Sequence, residues 1–273
     1  MYALLIGINS YKDRPLRGSV NDVKAVEEYL VKDLGVPGEQ IRILLDEQAS
    51  RSGILQAFAD LRMDARIKEG DPILIFYAGH GAEINSPQGW EAGHTKIQAI
   101  IPHNFSESAL VVHPIPDRTL GVLIDMLAKE KGENIVCRSN HCVNTELMRF
   151  QTVVFDCCHS GSGTRDEDVQ VRSMRITDSL PAYIDSEIIG SGDPALSLSR
   201  AGNAATGFEH KGLRSHMLIA ACSHTESARE SYVDLKKTTR GQFTVALLAL
   251  FRRKGVDKLT YNDICSQLDP MIG

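Results

Sequence analysis

The chain has little that could span a membrane and little that could staple it. No stretch of 18 consecutive apolar residues occurs in its 273 residues, so a transmembrane helix is not expected. The opening MYALLIGINSY has neither a basic leader nor a small-residue cleavage site, so no signal peptide is expected. Six cysteines are too few for a disulfide framework at this length, and a reduced, cytoplasmic protein is the expectation. Positive charge is not in excess. The 30 Lys and Arg stand against 35 Asp and Glu, a net charge of −5, which lacks the basic footprint of a nucleic-acid binder. A phosphate-cradling glycine pattern is also missing, because the first apolar run leads into GINSYKDRPLRG. That excludes a nucleotide-binding doubly wound domain.

What is present is a regular alternation. Short apolar runs, YALLIGI, IRILL, PILIFYAGHG, KIQAIIP, TVVFDCC and HMLIAAC, read as buried strands. Between them lie helix-spaced stretches: residues 20–35, 51–66 and 117–131, then 241–253 and 261–268 near the end. Strands alternating with helices of this length imply βαβ units and a mostly parallel sheet with helices on both faces. The stretch 162–214 is polar, rich in Gly and Ser and without periodicity, and is expected to be a mobile linker loop.

In open α/β sheets the sites form beyond the carboxyl ends of strands. Two strands here end in reactive groups, FYAGHG with His80 and FDCCHSG with Cys157, Cys158 and His159. A thiol becomes a nucleophile only as thiolate, and a histidine in reach can take the proton and return it to the leaving amine. The N–H groups of Gly81 and of the nucleophile can together hold an oxyanion. The competing readings are a turn histidine and a cysteine acting as a small core hydrophobe. Because side chains alternate along a strand, Cys157 and Cys158 cannot share one role.

YAGHG followed by FDCCHSG resembles the caspase-like cysteine peptidases, specifically the metacaspases and related fungal-type caspase-domain proteins. The opening LLIGINSYKD…LRGSVNDV and the late IAACSHTESARE…GQFTVALLALF match in the same order. The resemblance implies one caspase-like three-layer αβα sandwich over residues 1–273. Residues 1–161 would be the large-subunit-like part and 215–273 a small-subunit-like part that stops short of the family's usual end. It implies that His80 is the catalytic imidazole, Cys158 the nucleophile and Cys157 structural. It further implies that Asp22 and Asp156 floor a pocket for a substrate Arg or Lys. A carboxylate pair attracts a guanidinium and rejects neutral or acidic side chains. Taken alone, Asp22 would read as a helix-start acid and Asp156 as a strand-end cap.

The expected function is therefore a thiol endopeptidase, self-processing within 162–214. That stretch offers Arg165, Arg172, Arg175, Arg200, Lys211 and Arg214 as cleavage sites. Its partners would be protein or peptide substrates, with no nucleic acid and no membrane. The alternative is a caspase-fold regulatory module with little activity. Programmed cell death enters only as a family-level association.

Two departures bear on this expectation. Many family members need calcium, which wants several carboxylate oxygens. Here the relevant segment reads KIQAIIPHNF, with Lys96, Gln98 and Asn104, and Arg165 stands seven residues past Cys158. Asp166, Glu167 and Asp168 read as a solvated cluster. No metal or other cofactor is expected to be required for the chemistry, and calcium activation is a secondary expectation. The segment 136–151, VCRSNHCVNTELMRFQ, separates GENI from TVVFDCC and reads as a retained short intron, its 48 nucleotides a multiple of three. Its C-x3-H-C pattern does not supply the paired spacing of a zinc site.

Overall fold

Alternating apolar residues on a buried strand need cover on both faces, and the first strand shows how that cover is provided. In the computed structural model, which describes residues 1–88, 90, 96–106, 112–132, 152–157, 171–190, 217–221, 228–233 and 238–272, β1 (Tyr2–Gly7) is buried along its whole length. Leu4 and Ile6 join one core and Ala3 and Leu5 the other, as the period of two requires.

The helix α1 (Ser19–Glu28) continues as a π-helical turn through Asp33 and leads to β2 (Ile41–Leu45). After α2 (Arg51–Met63), capped by Ser50 Oγ accepting from Gly53 N, the chain enters β3 (Ile73–Ala78). A second sheet begins with β4 (Gly81–Asn85), β5 (Lys96–Ile100) and the short β6 (Ile115–Pro116). Then come α3 (Asp117–Lys131) and β7 (Thr152–Asp156). The remaining elements are β8 (Ser173–Arg175), α4 (Ser186–Gly190), β9 (Met217–Ala220), β10 (Glu230–Val233) and β11 (Thr238–Gly241). Two helices follow, α5 (Gln242–Lys254) and α6 (Tyr261–Ile272).

The central sheet has the order β2-β1-β3-β7-β9, and all its pairings are parallel. One face packs on Ile54, Phe58 and Leu61 of α2 and Leu120, Ile124 and Leu127 of α3. The other packs on Val23 and Val26 of α1 and Phe243, Leu247 and Leu250 of α5. Burying each such side chain is worth about 1.5–3 kcal/mol, and two continuous apolar layers make this a three-layer αβα sandwich. The second sheet has the order β6-β5-β4-β8, and β10 and β11 form a separate hairpin.

Within the stretch expected to be a mobile loop, residues 171–190 are built into the fold. β8 pairs in parallel with β4, and Trp90 Nε1 donates to the Ala182 carbonyl at 3.0 Å. Asp185 accepts from Arg51 Nη2 at 2.6 and 2.7 Å and from Thr119 Oγ1 at 2.7 Å. The sequence hides this because the anchors are single polar residues at irregular spacing, which no periodicity reveals. The insertion 136–151 lies outside the described residues.

Candidate active site

The parallel register sets the carboxyl ends of β3 and β7 side by side, with Ala78 paired to Asp156. His80 comes two residues after β3. Gly79 makes the turn possible, because a Cβ there would lie 2.5 Å from Tyr11 Oη and 2.6 Å from Tyr77 Oη. Those hydroxyls fix the turn's backbone. His80 N donates to Tyr11 Oη at 3.0 Å, Tyr77 Oη donates to the His80 carbonyl at 2.7 Å, and Tyr11 Oη donates to the Ile101 carbonyl at 3.0 Å. The Tyr11 ring also packs against the imidazole, centroids 4.7 Å apart. Burial raises the pKa of both phenols, which keeps them neutral donors.

The His80 ring is 2% exposed. Its Nε2 lies 2.8 Å from the Arg14 carbonyl. A carbonyl only accepts, so Nε2 carries the proton and the lone pair sits on Nδ1. Nδ1 is buried and has no partner among the described residues. Burial pushes the imidazole pKa down to about 4. The Arg14 backbone and, more weakly, the Arg172 backbone oppose this, and the charges of Arg172 and Arg14 add to it. The ring is therefore neutral at pH 7 and able to accept a proton at Nδ1. Cys157 is buried at 1% exposure, as expected for a core residue. Cys158 and His159 lie outside the described residues.

Asp22 and Asp156, 134 positions apart in the chain, are brought together around one side chain, that of Arg172. All three are fully buried. Arg172 Nη2 lies 2.5 Å from Asp22 Oδ2, and Nη1 lies 2.9 Å from Asp156 Oδ2. A third carboxylate, which sequence reasoning missed, completes the cradle. Glu230 Oε1 accepts from Arg172 Nε at 3.2 Å and from Nη2 at 3.0 Å. The Asp156 carbonyl also accepts from Nη1 at 3.1 Å. Every guanidinium nitrogen thus has an anionic or carbonyl partner. Burial works against the charge on Arg172, but Asp156, Asp22 and Glu230 outweigh it and raise its pKa.

The cradle is itself held by neutral donors. Gly241 N donates to Asp22 Oδ2 at 2.9 Å, Thr244 Oγ1 to Asp156 Oδ2 at 2.5 Å, and the N–H groups of Arg17 and Gly18 to Glu230 at 3.0 and 2.9 Å. Gly241 has to be glycine, since a Cβ would run into the Asp156 carboxylate and lie 2.7 Å from Arg172 Nη1. Asp22 lies in the first turn of α1, whose N-cap is Gly18, so it is the helix-start acid that its position alone suggests as well as a partner of Arg172. Burial raises its pKa to about 6, opposed by Arg172 and Arg240 and reinforced by Asp156.

The backbone of Arg172 is docked as well. Its N–H donates to the Ala228 carbonyl at 3.0 Å, and its carbonyl accepts from Gly81 N at 3.0 Å. Val171 forms an antiparallel bridge with Arg229. The Gly81 N–H expected to hold an oxyanion is therefore engaged with a carbonyl of this same chain. Glu230 leaves a faint trace in the sequence, as a lone acid opening the strand ESYV. The role of Arg172 leaves none beyond its charge.

Of the residues named for calcium, Lys96, Gln98 and Asn104 are among those described. Lys96 Nζ pairs with Glu83 at 2.8 Å, Asn104 Oδ1 accepts from Arg51 N, and Gln98 N donates to Asp117. Among the described residues no group of three or more His, Cys, Asp or Glu could hold a metal ion, and Arg165 lies outside them.

A strand-end imidazole set beside a buried acidic cradle, on a five-stranded parallel sheet covered by helices on both faces, defines a caspase-type architecture. The family model for the caspase domain matches residues 1–270, and the chain belongs to that peptidase family. Among curated proteins it is similar to metacaspase-1A of Aspergillus oryzae, 31% identical over 59% of this chain and 34% of the relative. It is also similar to metacaspase-1 of Ajellomyces capsulatus, 32% identical over 59% and 40%, and to metacaspase-6 of Arabidopsis thaliana, 32% identical over 60% and 39%. The chain thus spans roughly a third to two-fifths of the length of these relatives. Among solved structures, a Geobacter sulfurreducens protein covers 98% of this chain and 87% of its own, with a TM-score of 0.58 at 15% identity. That likeness concerns the fold.

Proposed function

We propose that the chain is a cysteine endopeptidase that cleaves after arginine or lysine and processes itself at the Arg172–Ser173 bond. The observation that carries this reading is the seating of Arg172, whose guanidinium fills a three-carboxylate cradle while its carbonyl accepts from Gly81 N. A substrate residue before a scissile bond needs that same pair of contacts, a charge partner for its side chain and a donor for its carbonyl oxygen.

In this reading Cys158 passes its thiol proton to His80 Nδ1, and the thiolate attacks the carbonyl carbon of residue 172. The oxyanion gathers on the N–H groups of Gly81 and Cys158. The imidazolium then protonates the leaving amine of Ser173, and water, deprotonated by the same ring, releases the acyl group. Until the bond breaks, the chain's own arginine blocks the pocket against other substrates.

The test is intact-mass analysis of purified protein over time, beside Cys158→Ala and Arg172→Ala. The expected products are residues 1–172 and 173–273, formed by the unmodified chain only. Turnover of Arg- and Lys-terminated but not Asp-terminated fluorogenic peptides is expected after processing. Scission at another bond, or peptide turnover that survives Cys158→Ala, would refute the reading.

A further inference from the structure

A second arginine, Arg240, stands behind the cradle and no step of the chemistry uses it. It lies on β11, next to Gly241, and is 7% exposed. The hairpin register pairs Glu230 with Gly241 and Ser231 with Arg240. One ribbon therefore delivers both the third carboxylate and this cation. Arg240 Nε donates to Asp22 Oδ1 at 3.1 Å, the carboxylate oxygen that Arg172 does not touch. Its Nη2 is buried and has no partner among the described residues. An interior guanidinium with an unsatisfied donor costs free energy, so its placement needs a compensating electrostatic role.

That role follows from counting charges around Asp22. Asp22 on α1 faces Asp156 at the end of β7, Arg172 before β8 and Arg240 on β11, and Glu230 on β10 joins the group through Arg172. While Arg172 is seated, three carboxylates face two guanidinium groups. Once Arg172 leaves, Arg240 is the one cation remaining among these groups. Three buried carboxylates without a counter-charge do not all stay ionised, because like charges and desolvation favour the protonated acid. A protonated Asp22 would present a neutral group to an incoming arginine.

We propose that Arg240 is a built-in counter-cation of the pocket that holds Asp22 ionised when no arginine is bound, so that an empty pocket can receive a substrate guanidinium near neutral pH. This rests on reading the Arg172 cradle as the substrate pocket and makes Arg240 a positioning residue.

The test has an arm that needs no turnover. In Cys158→Ala/Arg172→Ala protein, the Asp22 carboxyl is followed by carbon NMR against pH, assigned by loss of the signal in Asp22→Asn. Arg240→Gln is expected to move the titration midpoint up by at least one pH unit, and Arg240→Lys by less. An unmoved midpoint overturns the proposal even if peptidase activity is normal. In processed enzyme, the acid limb of kcat/KM for an Arg-terminated peptide should shift by the same amount in Arg240→Gln. A one-unit shift is up to about a tenfold loss on the acid limb, and Arg240→Gln should add nothing in an Asp22→Asn background. Should Arg240→Gln fail to fold, Asp22→Asn/Arg240→Gln decides: folding of the double variant supports the charge pairing, and its failure makes Arg240 a structural residue and overturns the proposal.

Discussion

Removing the internal arginine is the sharpest probe of the cradle. Arg172→Ala, made in a Cys158→Ala background to prevent scission, deletes the cation that three buried carboxylates share at 2.5, 2.9 and 3.0 Å. Taking one partner out of a buried ionic network costs about 3–5 kcal/mol, because the remaining charges stay desolvated. For a domain of this size each kcal/mol moves the thermal midpoint by about 2–4 °C. The fall should therefore be at least about 6 °C, even with water entering part of the vacated space. The deficit should depend on pH in a definite direction. Burial raises the Asp22 carboxyl to about 6 even with Arg172 beside it, and removing that cation takes away what opposes the rise, so the stabilising contribution of Asp22 is complete in acid and is lost as pH rises. The variant should lag most near pH 8 and least near pH 5.

The same cavity becomes a receptor. Agmatine, which carries a guanidinium on an alkyl stem, should restore stability by RT ln(1 + [L]/Kd), about 2.7 kcal/mol at a hundredfold excess over Kd. The parent chain, whose cradle is filled, should not respond to agmatine. Differential scanning fluorimetry with and without agmatine reads both effects. Equal agmatine responses in the two proteins, or a deficit that grows in acid, would refute the account of Arg172 as the occupant of a guanidinium pocket.

Two further predictions follow from the same geometry. Gly241→Ala places a methyl group against the Asp156 carboxylate and Arg172 Nη1; overpacking of this kind costs about 1–3 kcal/mol, and urea titration should register it together with loss of cleavage after arginine. His80 is neutral in the fold down to about pH 4 against an ordinary value of 6.5, so between pH 6.5 and 4 the unfolded chain binds a proton that the folded chain refuses. Stability should fall across that window by up to about 3 kcal/mol on this account, and the difference between the parent chain and His80→Gln isolates it from Asp22 and Asp117, whose raised values of about 6 and 7 act in the opposite sense.

The sheet was legible in the sequence because its signal is collective. YALLIGI, IRILL, PILIFYA and TVVFD are dense apolar runs, and each became a strand of the central sheet; burial of β1, β3 and β7 on both faces leaves little freedom to place polar residues there, while β2 at the edge is only half-buried and carries Arg42. Asp22 and Asp156 were legible by resemblance rather than by pattern, for neither sits in a periodic position that marks it as a pocket wall. Arg240 and Gly241 were not legible, and Glu230 only faintly, as a lone acid opening a strand. They meet Asp22 only through a hairpin that comes more than 200 residues later in the chain, and no local rule links an acid on a first helix to a backbone N–H at the start of a later one. Residues 171–190 were misjudged for a related reason. Their order comes from a few long-range anchors to Arg51, Trp90 and Asn85, and low apolar content hides such anchors.

This split between legible frame and hidden pocket has a physical cause that bears on how the site works. Strand burial is decided by composition within five or six residues, and it tolerates exchange among apolar side chains. The cradle depends on individual atoms that are expensive to strand: a carboxylate without its guanidinium, or a guanidinium without its carboxylate, costs several kcal/mol in the interior. A pocket built this way is stable only when a cation of the right shape occupies it or when part of the compensation is permanent. Arg172 supplies the first condition in the intact chain. The N–H groups of Arg17, Gly18 and Gly241, the Thr244 hydroxyl and the Arg240 guanidinium supply the second. The same residues that let the empty pocket persist after its own arginine departs therefore set how strongly it draws in another, and affinity for substrate and stability of the processed chain should rise and fall together across variants of these positions.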